Sequence, residues 1–166
     1  MSRSVQAIVF LLATVSPAAP AAFASGERVV SLDGDWLLAT DPQNVGRGEA
    51  WFAQPRPEAQ TARVPWIMQE LFPGYHGVAW YWREFVAPAS APAEGRYLLR
   101  FWAVDYLAEV WLNGVPVGGH EGGETPFVLD VTAAIRPGQP NQLAVRVLNP
   151  NRSEEHTSEL QSHSFI

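Results

Sequence analysis

The amino-acid sequence predicts an all-β sandwich, and three observations carry that prediction. Short apolar stretches alternate with a period of two, as in Val78–Val86 (VAWYWREFV) and Gln142–Leu148 (QLAVRVL). Glycine and proline, 13 and 14 of 166 residues, punctuate the chain, and no stretch has the pattern of a long helix. Asn113-Gly114 sits between two strand-like runs. It is the strongest two-residue hairpin signal, because both central positions of a type I′ turn need φ > 0.

Taken in order, Arg28–Ser31 and Gly34–Thr40 are predicted strands joined at Leu32-Asp33-Gly34. Asp33 and Asp35 belong to that turn, since the further ligands of a calcium loop are missing. Asp41–Arg63 is rich in Pro, Gly, Gln and Arg, a long surface connection with Trp51-Phe52 as its anchor and Val64-Pro65-Trp66 as its end. A second loop, Gln69–Gly77, turns at Pro73-Gly74.

Val78–Val86 then forms a strand with aromatics on both faces, so both faces are expected to be covered. Pro88–Gly95 is a turn region, and Tyr97–Val104 is the next strand. Tyr106–Leu112 follows and ends at the Asn-Gly turn. Pro116 has no N–H to donate, which places the return strand Val115–Val117 at a sheet edge. Gly118–Gly123 is too glycine-rich for regular structure and is predicted as a loop. Phe127–Val131 is a strand, Thr132–Arg136 a single helical turn, and Gln142–Leu148 the closing strand, with Leu143, Val145 and Val147 facing the core. Trp80, Trp82, Trp102 and Trp111 all fall within strands and are assigned to packing.

Both ends differ from this body. Arg3 and the apolar run Val5–Val15 resemble the first two regions of a signal peptide, and Ala22-Phe23-Ala24 offers a cleavage site. Residues 1–24 are therefore expected to be removed on export, to the periplasm or outside the cell, leaving no membrane anchor. Arg152–Ser162 (RSEEHTSELQS) matches, over eleven consecutive residues, the conceptual translation of a common short-read sequencing adapter. Residues 152–166 are accordingly expected to be artefactual, and disordered by composition.

Ser25–Asn151 is left as one domain. Without Arg3, Arg152 and the three glutamates of the tail, nine arginines face fourteen carboxylates, a net charge of −5. There is no lysine and no basic cluster, which argues against nucleic acid as a partner. No cysteine is present, so disulfides and thiolate metal sites are excluded, and no cofactor is expected. Seven Trp and the five of the eight Phe that fall within this domain supply the packing instead. Phosphate loops, dinucleotide fingerprints and nucleophile elbows are absent from the sequence.

Seven segments, in this order, resemble the N-terminal sugar-binding domain of family 2 glycoside hydrolases. They are LDGDW (Leu32–Trp36), VPW (Val64–Trp66), GVAWYWREF (Gly77–Phe85), AEVWLNG (Ala108–Gly114), GHEGGETPF (Gly119–Phe127), LDVT (Leu129–Thr132) and NQLAVRVLN (Asn141–Asn149). The resemblance implies a jelly-roll sandwich of the galactose-binding type, carbohydrate as ligand, and downstream immunoglobulin-like and TIM-barrel domains. It also implies retaining hydrolysis of O-glycosyl bonds by two glutamates about 5–5.5 Å apart. In the family those glutamates lie in the barrel, so no residue here inherits a catalytic role and the chain alone is expected to be inactive. A standalone secreted carbohydrate-binding module is the alternative.

Five residues are candidates for touching sugar or barrel. Trp66, Tyr75 and His76 flank the second long loop, where an aromatic face can stack on a pyranose. His120 and Glu121 lie in the glycine-rich stretch. Each also has a structural reading: Trp66 as a loop anchor, His120 as a holder of backbone groups. Asp105 and Asp130, near strand ends, are expected to accept backbone N–H bonds.

Overall fold

The computed structural model describes residues 29–89 and 95–150. The signal-peptide assignment, the domain start at Ser25 and the assignment of residues 152–166 lie outside the described residues.

Among the described residues, eight strands form two antiparallel sheets. They are β1 (Gly34–Thr40), β2 (Gln60–Val64), β3 (Gly77–Val86), β4 (Leu98–Phe101), β5 (Leu107–Leu112), β6 (Val115–Glu121), β7 (Phe127–Asp130) and β8 (Pro140–Asn149). The larger sheet has the order β2-β1-β3-β8-β5-β6, and β4 pairs with β7 in the smaller. The main core lies between them, where Leu38, Tyr81, Val110, Leu143 and Val145 of the large sheet meet Phe101 and Phe127 of the small one. Phe101 and Phe127, cross-strand partners, stack at 4.7 Å.

The predicted all-β sandwich is therefore the observed architecture, and most strands fall where alternation put them. β3 is central, and Trp80, Tyr81 and Trp82 are all buried, one face in the main core and the other beneath the Asp41–Ala59 segment. Asn113 and Gly114 take φ of 54° and 80°, as a type I′ turn requires. β6, with Pro116, is an edge strand. Residues Val131–Ile135 make one hydrogen-bonded turn, the Ala134 and Ile135 N–H groups both donating to Val131 O at 3.0 Å.

Four expectations are corrected. Of the predicted strand Arg28–Ser31, the described part Val29–Ser31 is not a strand; Trp36 donates its indole N–H back to Leu32 O at 2.8 Å. Gln60–Val64 is a strand, β2, masked in sequence by polar residues because only Ala62 and Val64 face inward. Gly118–Glu121 is not a loop but the continuation of β6. Its glycines serve close backbone approach: a Cβ at Gly119 would sit 2.5 Å from Ala108 O. Trp102 is 73% exposed, because β4 ends at Phe101 and the chain leaves the sheet there.

Candidate functional site

The register sorts the candidate residues onto opposite ends of the large sheet. Gly77 pairs with Asn149, Leu107 with Leu148, and Leu107 with Glu121. Tyr75, His76, His120 and Glu121 thus share one end. Gly34 pairs with Val64 at the other end, and Trp66 lies there. The strand rise separates the two ends by roughly 25 Å.

At the first end the side chains hold the loops that carry them. Tyr75 donates its hydroxyl to Val78 O at 2.7 Å. Burial, with help from the Asp41 carboxylate, raises its pKa above the ordinary phenol value. Gln69 Nε2 donates to Tyr75 O at 3.2 Å and ties down the same loop. His76 is exposed, with Nδ1 3.4 Å from Asn149 Oδ1 across the β3–β8 register. The His120 Nε2 lies 2.7 Å from Thr125 Oγ1, and its ring stacks on Phe127 at 4.7 Å. These contacts brace the Gly122–Thr125 turn through side chains, a hydroxyl and a ring, rather than through backbone groups. Glu121 is exposed at the end of β6. The buried Asp105 sits against the same turn, where a Cβ on Gly123 would come within 2.7 Å of its Oδ1. Asp130 accepts the Thr132 N–H at 3.0 Å, and the bonds from Thr132 lower its pKa.

At the opposite end Trp66 is 52% exposed and walls an open groove of about 430 Å³. Asp33, Gly34, Arg63, Val64, Pro65 and Glu70 complete it. An indole face beside two carboxylates and a guanidinium can stack on the C–H face of a sugar and hydrogen-bond its hydroxyls. Among the described residues, no group of three or more His, Asp or Glu could hold a metal ion, and no helix is long and apolar enough to cross a membrane.

Sequence reasoning missed a polar row on the outer face of the large sheet. Arg146 pairs with Trp80 on one side and Glu109 on the other. Although 2% exposed, it donates to Glu109 Oε2 and Asn44 Oδ1, both at 2.7 Å. Arg47 reaches the same carboxylate from the covering segment. Burial, reinforced by the nearby Arg47 charge, lowers the pKa of Arg146. Its signal was present in sequence: a lone arginine inside QLAVRVL, on the face opposite Leu143, Val145 and Val147.

Two antiparallel sheets packed face to face, with loops at both ends, define a β-sandwich module. The chain belongs to glycoside hydrolase family 2: residues 29–161 match the model described as "Glycosyl hydrolases family 2, sugar binding domain", a match that runs past Asn151. It is 32% identical over 127 residues to the β-glucuronidase of Paenibacillus borealis, covering 74% of this chain and 21% of that protein. Against the β-glucuronidase of Rattus norvegicus it is 32% identical over 139 residues, covering 76% and 22%. The crystal structure of Ruminococcus gnavus β-glucuronidase superposes with a TM-score of 0.67 at 32% identity, covering 72% of this chain and 21% of that one. The chain thus spans about a fifth of the length of the curated relatives it matches.

Proposed function

We propose that this chain is the N-terminal, non-catalytic sugar-binding domain of an exported retaining glycosidase, with a jelly-roll topology and the catalytic barrel downstream. The observation that supports this most is the family match over residues 29–161 in a chain spanning a fifth of its relatives. The relatives named above are β-glucuronidases, so β-glucuronides are the proposed substrates of the full-length enzyme. The end bearing Tyr75, His76, His120 and Glu121 would border the substrate entrance, while hydrolysis itself would require a pair of downstream glutamates. The N-terminal residues 1–24 would direct export to the periplasm or beyond, and residues 152–166 would derive from adapter sequence.

The test is to resequence the source locus across the Asn151 codon with unrelated adapters, then express both this chain and the full reading frame. The expected result is a frame continuing well past Asn151, with hydrolysis of 4-nitrophenyl β-glucuronide by the long protein alone. A stop codon near Asn151 would overturn the proposal.

The groove at Trp66 favours a second reading, a standalone carbohydrate-binding module. It predicts calorimetric binding of glucuronides, galactosides or mannosides to this chain, abolished by Trp66→Ala. Absence of heat with all three sinks it.

A further inference from the structure

The outward face of β4 and β7 carries Leu98, Arg100, Val128 and Asp130, with Trp102 at its rim. Their inward neighbours Leu99, Phe101, Phe127 and Leu129 pack on the core, so this face is held rigid. Leu98 is 55% exposed, Val128 47% and Trp102 73%. The outer face of the large sheet is already covered by the Asp41–Ala59 segment, through Trp51 and Phe52. The small sheet has no such cover among the described residues.

We propose that this face is the docking surface for the polypeptide that follows β8 in the full-length protein. The inference rests on the reading of the chain as the first part of a longer enzyme, and two observations choose the occupant. Relatives place about four-fifths of their length outside the matched segment. β8 also delivers the backbone to Asn149 at the Gly77–Leu107 end of the large sheet. Residues 102–106 cross from β4 to β5 at that same end, so Trp102 lies at the end of the sandwich from which the chain leaves.

The chemistry fits a protein surface better than a sugar. The Arg100 guanidinium lies 5.6 Å over one face of the Trp102 ring, a cation–π pair that a protein interface can take up whole. The neighbouring Leu98 and Val128 offer no hydrogen bonds to hydroxyls. Tryptophan and arginine surrounded by aliphatic side chains are the composition of an interface core.

Hydroxyl-radical footprinting with peptide mass spectrometry tests this on two proteins, the present chain and the full-length translation of the source gene. Oxidation of Trp102 is expected to fall about fivefold or more in the full-length protein, as burial in an interface core requires. Trp66, at the opposite end, should change less than about twofold, since it stays outside the contact. Equal oxidation of Trp102 in both proteins would overturn the proposal. Protection already present in the short chain, together with a dimeric mass in sedimentation, would assign the face to a second copy and overturn it too. Trp102→Ser in the full-length protein is expected to speed proteolytic cleavage after β8, whereas Val86→Ser, also exposed (61%) but at the far end, is not. A reading frame ending near Asn151 defeats the underlying reading; an unprotected Trp102 in a longer chain defeats only the docking.

Discussion

The indole Nε1 of Trp80 donates to Oδ2 of Asp41 at 3.1 Å, with both residues essentially inaccessible to water. Asp41 follows directly on β1, and its carboxylate also accepts the backbone N–H groups of Val45 and Gly46, each at 2.9 Å. One buried carboxylate therefore turns the chain out of β1 and fastens the covering segment to the centre of the sheet. The fit leaves no slack: a Cβ on Gly46 would lie 2.4 Å from Trp80 Nε1.

Asp41→Ala is expected to destabilise the domain by about 3 kcal/mol, because it leaves three N–H donors without their acceptor in a buried site. Asp41→Asn should cost less, since its carbonyl oxygen retains some of the bonds while its NH₂ opposes the rest. Urea unfolding followed by tryptophan fluorescence measures both. A loss below about 1 kcal/mol for the alanine variant would mean that water reaches the site and satisfies the donors.

Glu109 and Arg146 are cross-strand partners on β5 and β8, and the guanidinium is the more deeply buried of the two. Glu109→Ala removes the acceptor and leaves the positive charge with Asn44 and a neighbouring like charge, Arg47. The expected cost is about 3 kcal/mol. Replacing both, as Glu109→Leu with Arg146→Met, should restore most of that stability, because apolar side chains suit this face beside Trp80 and Trp111. A double variant no more stable than Glu109→Ala would show that the pair itself, rather than relief of an unpaired charge, holds the strands.

The strands were legible in sequence wherever a side-chain period met a buried face, as in β3, β5 and β8. β2 was not, because QTARV turns only two small apolar residues inward and its edge position asks nothing of the rest. Trp102 was misplaced by extending alternation one turn too far: composition cannot show where a two-stranded sheet stops. The glycines of β6 misled for a related reason. Among the candidate residues, the second loop and the Gly-rich stretch do reach one end of the sheet, but Trp66 does not, since β1–β2 register is a long-range fact. Arg146 stood out within QLAVRVL, but its partners Glu109 and Asn44, like the partner Trp80 of Asp41, lie far away in sequence and were not legible.

Gly119 illustrates that last point and gives a sharp contrast. Its absent Cβ would meet the carbonyl oxygen of Ala108 at 2.5 Å, and backbone cannot swing aside as a long side chain can. Gly119→Ala is expected to push β6 off β5 at a cost of about 1–3 kcal/mol. At Gly48 the nearest atom is Val45 O at 3.5 Å, an ordinary contact, and Gly48→Ala should stay within about 0.5 kcal/mol of the parent. Thermal unfolding of the two variants side by side decides the matter. Equal midpoints would mean that the edge strand relaxes freely.

Alkaline pH tests the loop that carries Tyr75 and His76. The Tyr75 hydroxyl is held as a donor to Val78 O, and burial together with the Asp41 charge raises its pKa. Tyr81, in the main core, is raised by burial alone. A phenol whose folded pKa exceeds its unfolded value contributes stability that is complete below about pH 10 and is lost as pH climbs through the folded value. Stability should therefore be flat from about pH 8 to 9 and fall above about pH 10. Tyr75→Phe should lower stability at neutral pH by about 1 kcal/mol through the lost hydrogen bond. The same variant should decline less steeply above pH 10, with Tyr81 supplying the remaining slope. Denaturant midpoints collected across this range for parent and variant give the comparison. Parallel curves would mean that the Tyr75 hydroxyl ionises as freely in the folded protein as in the unfolded chain, and that the loop before β3 is open at that position.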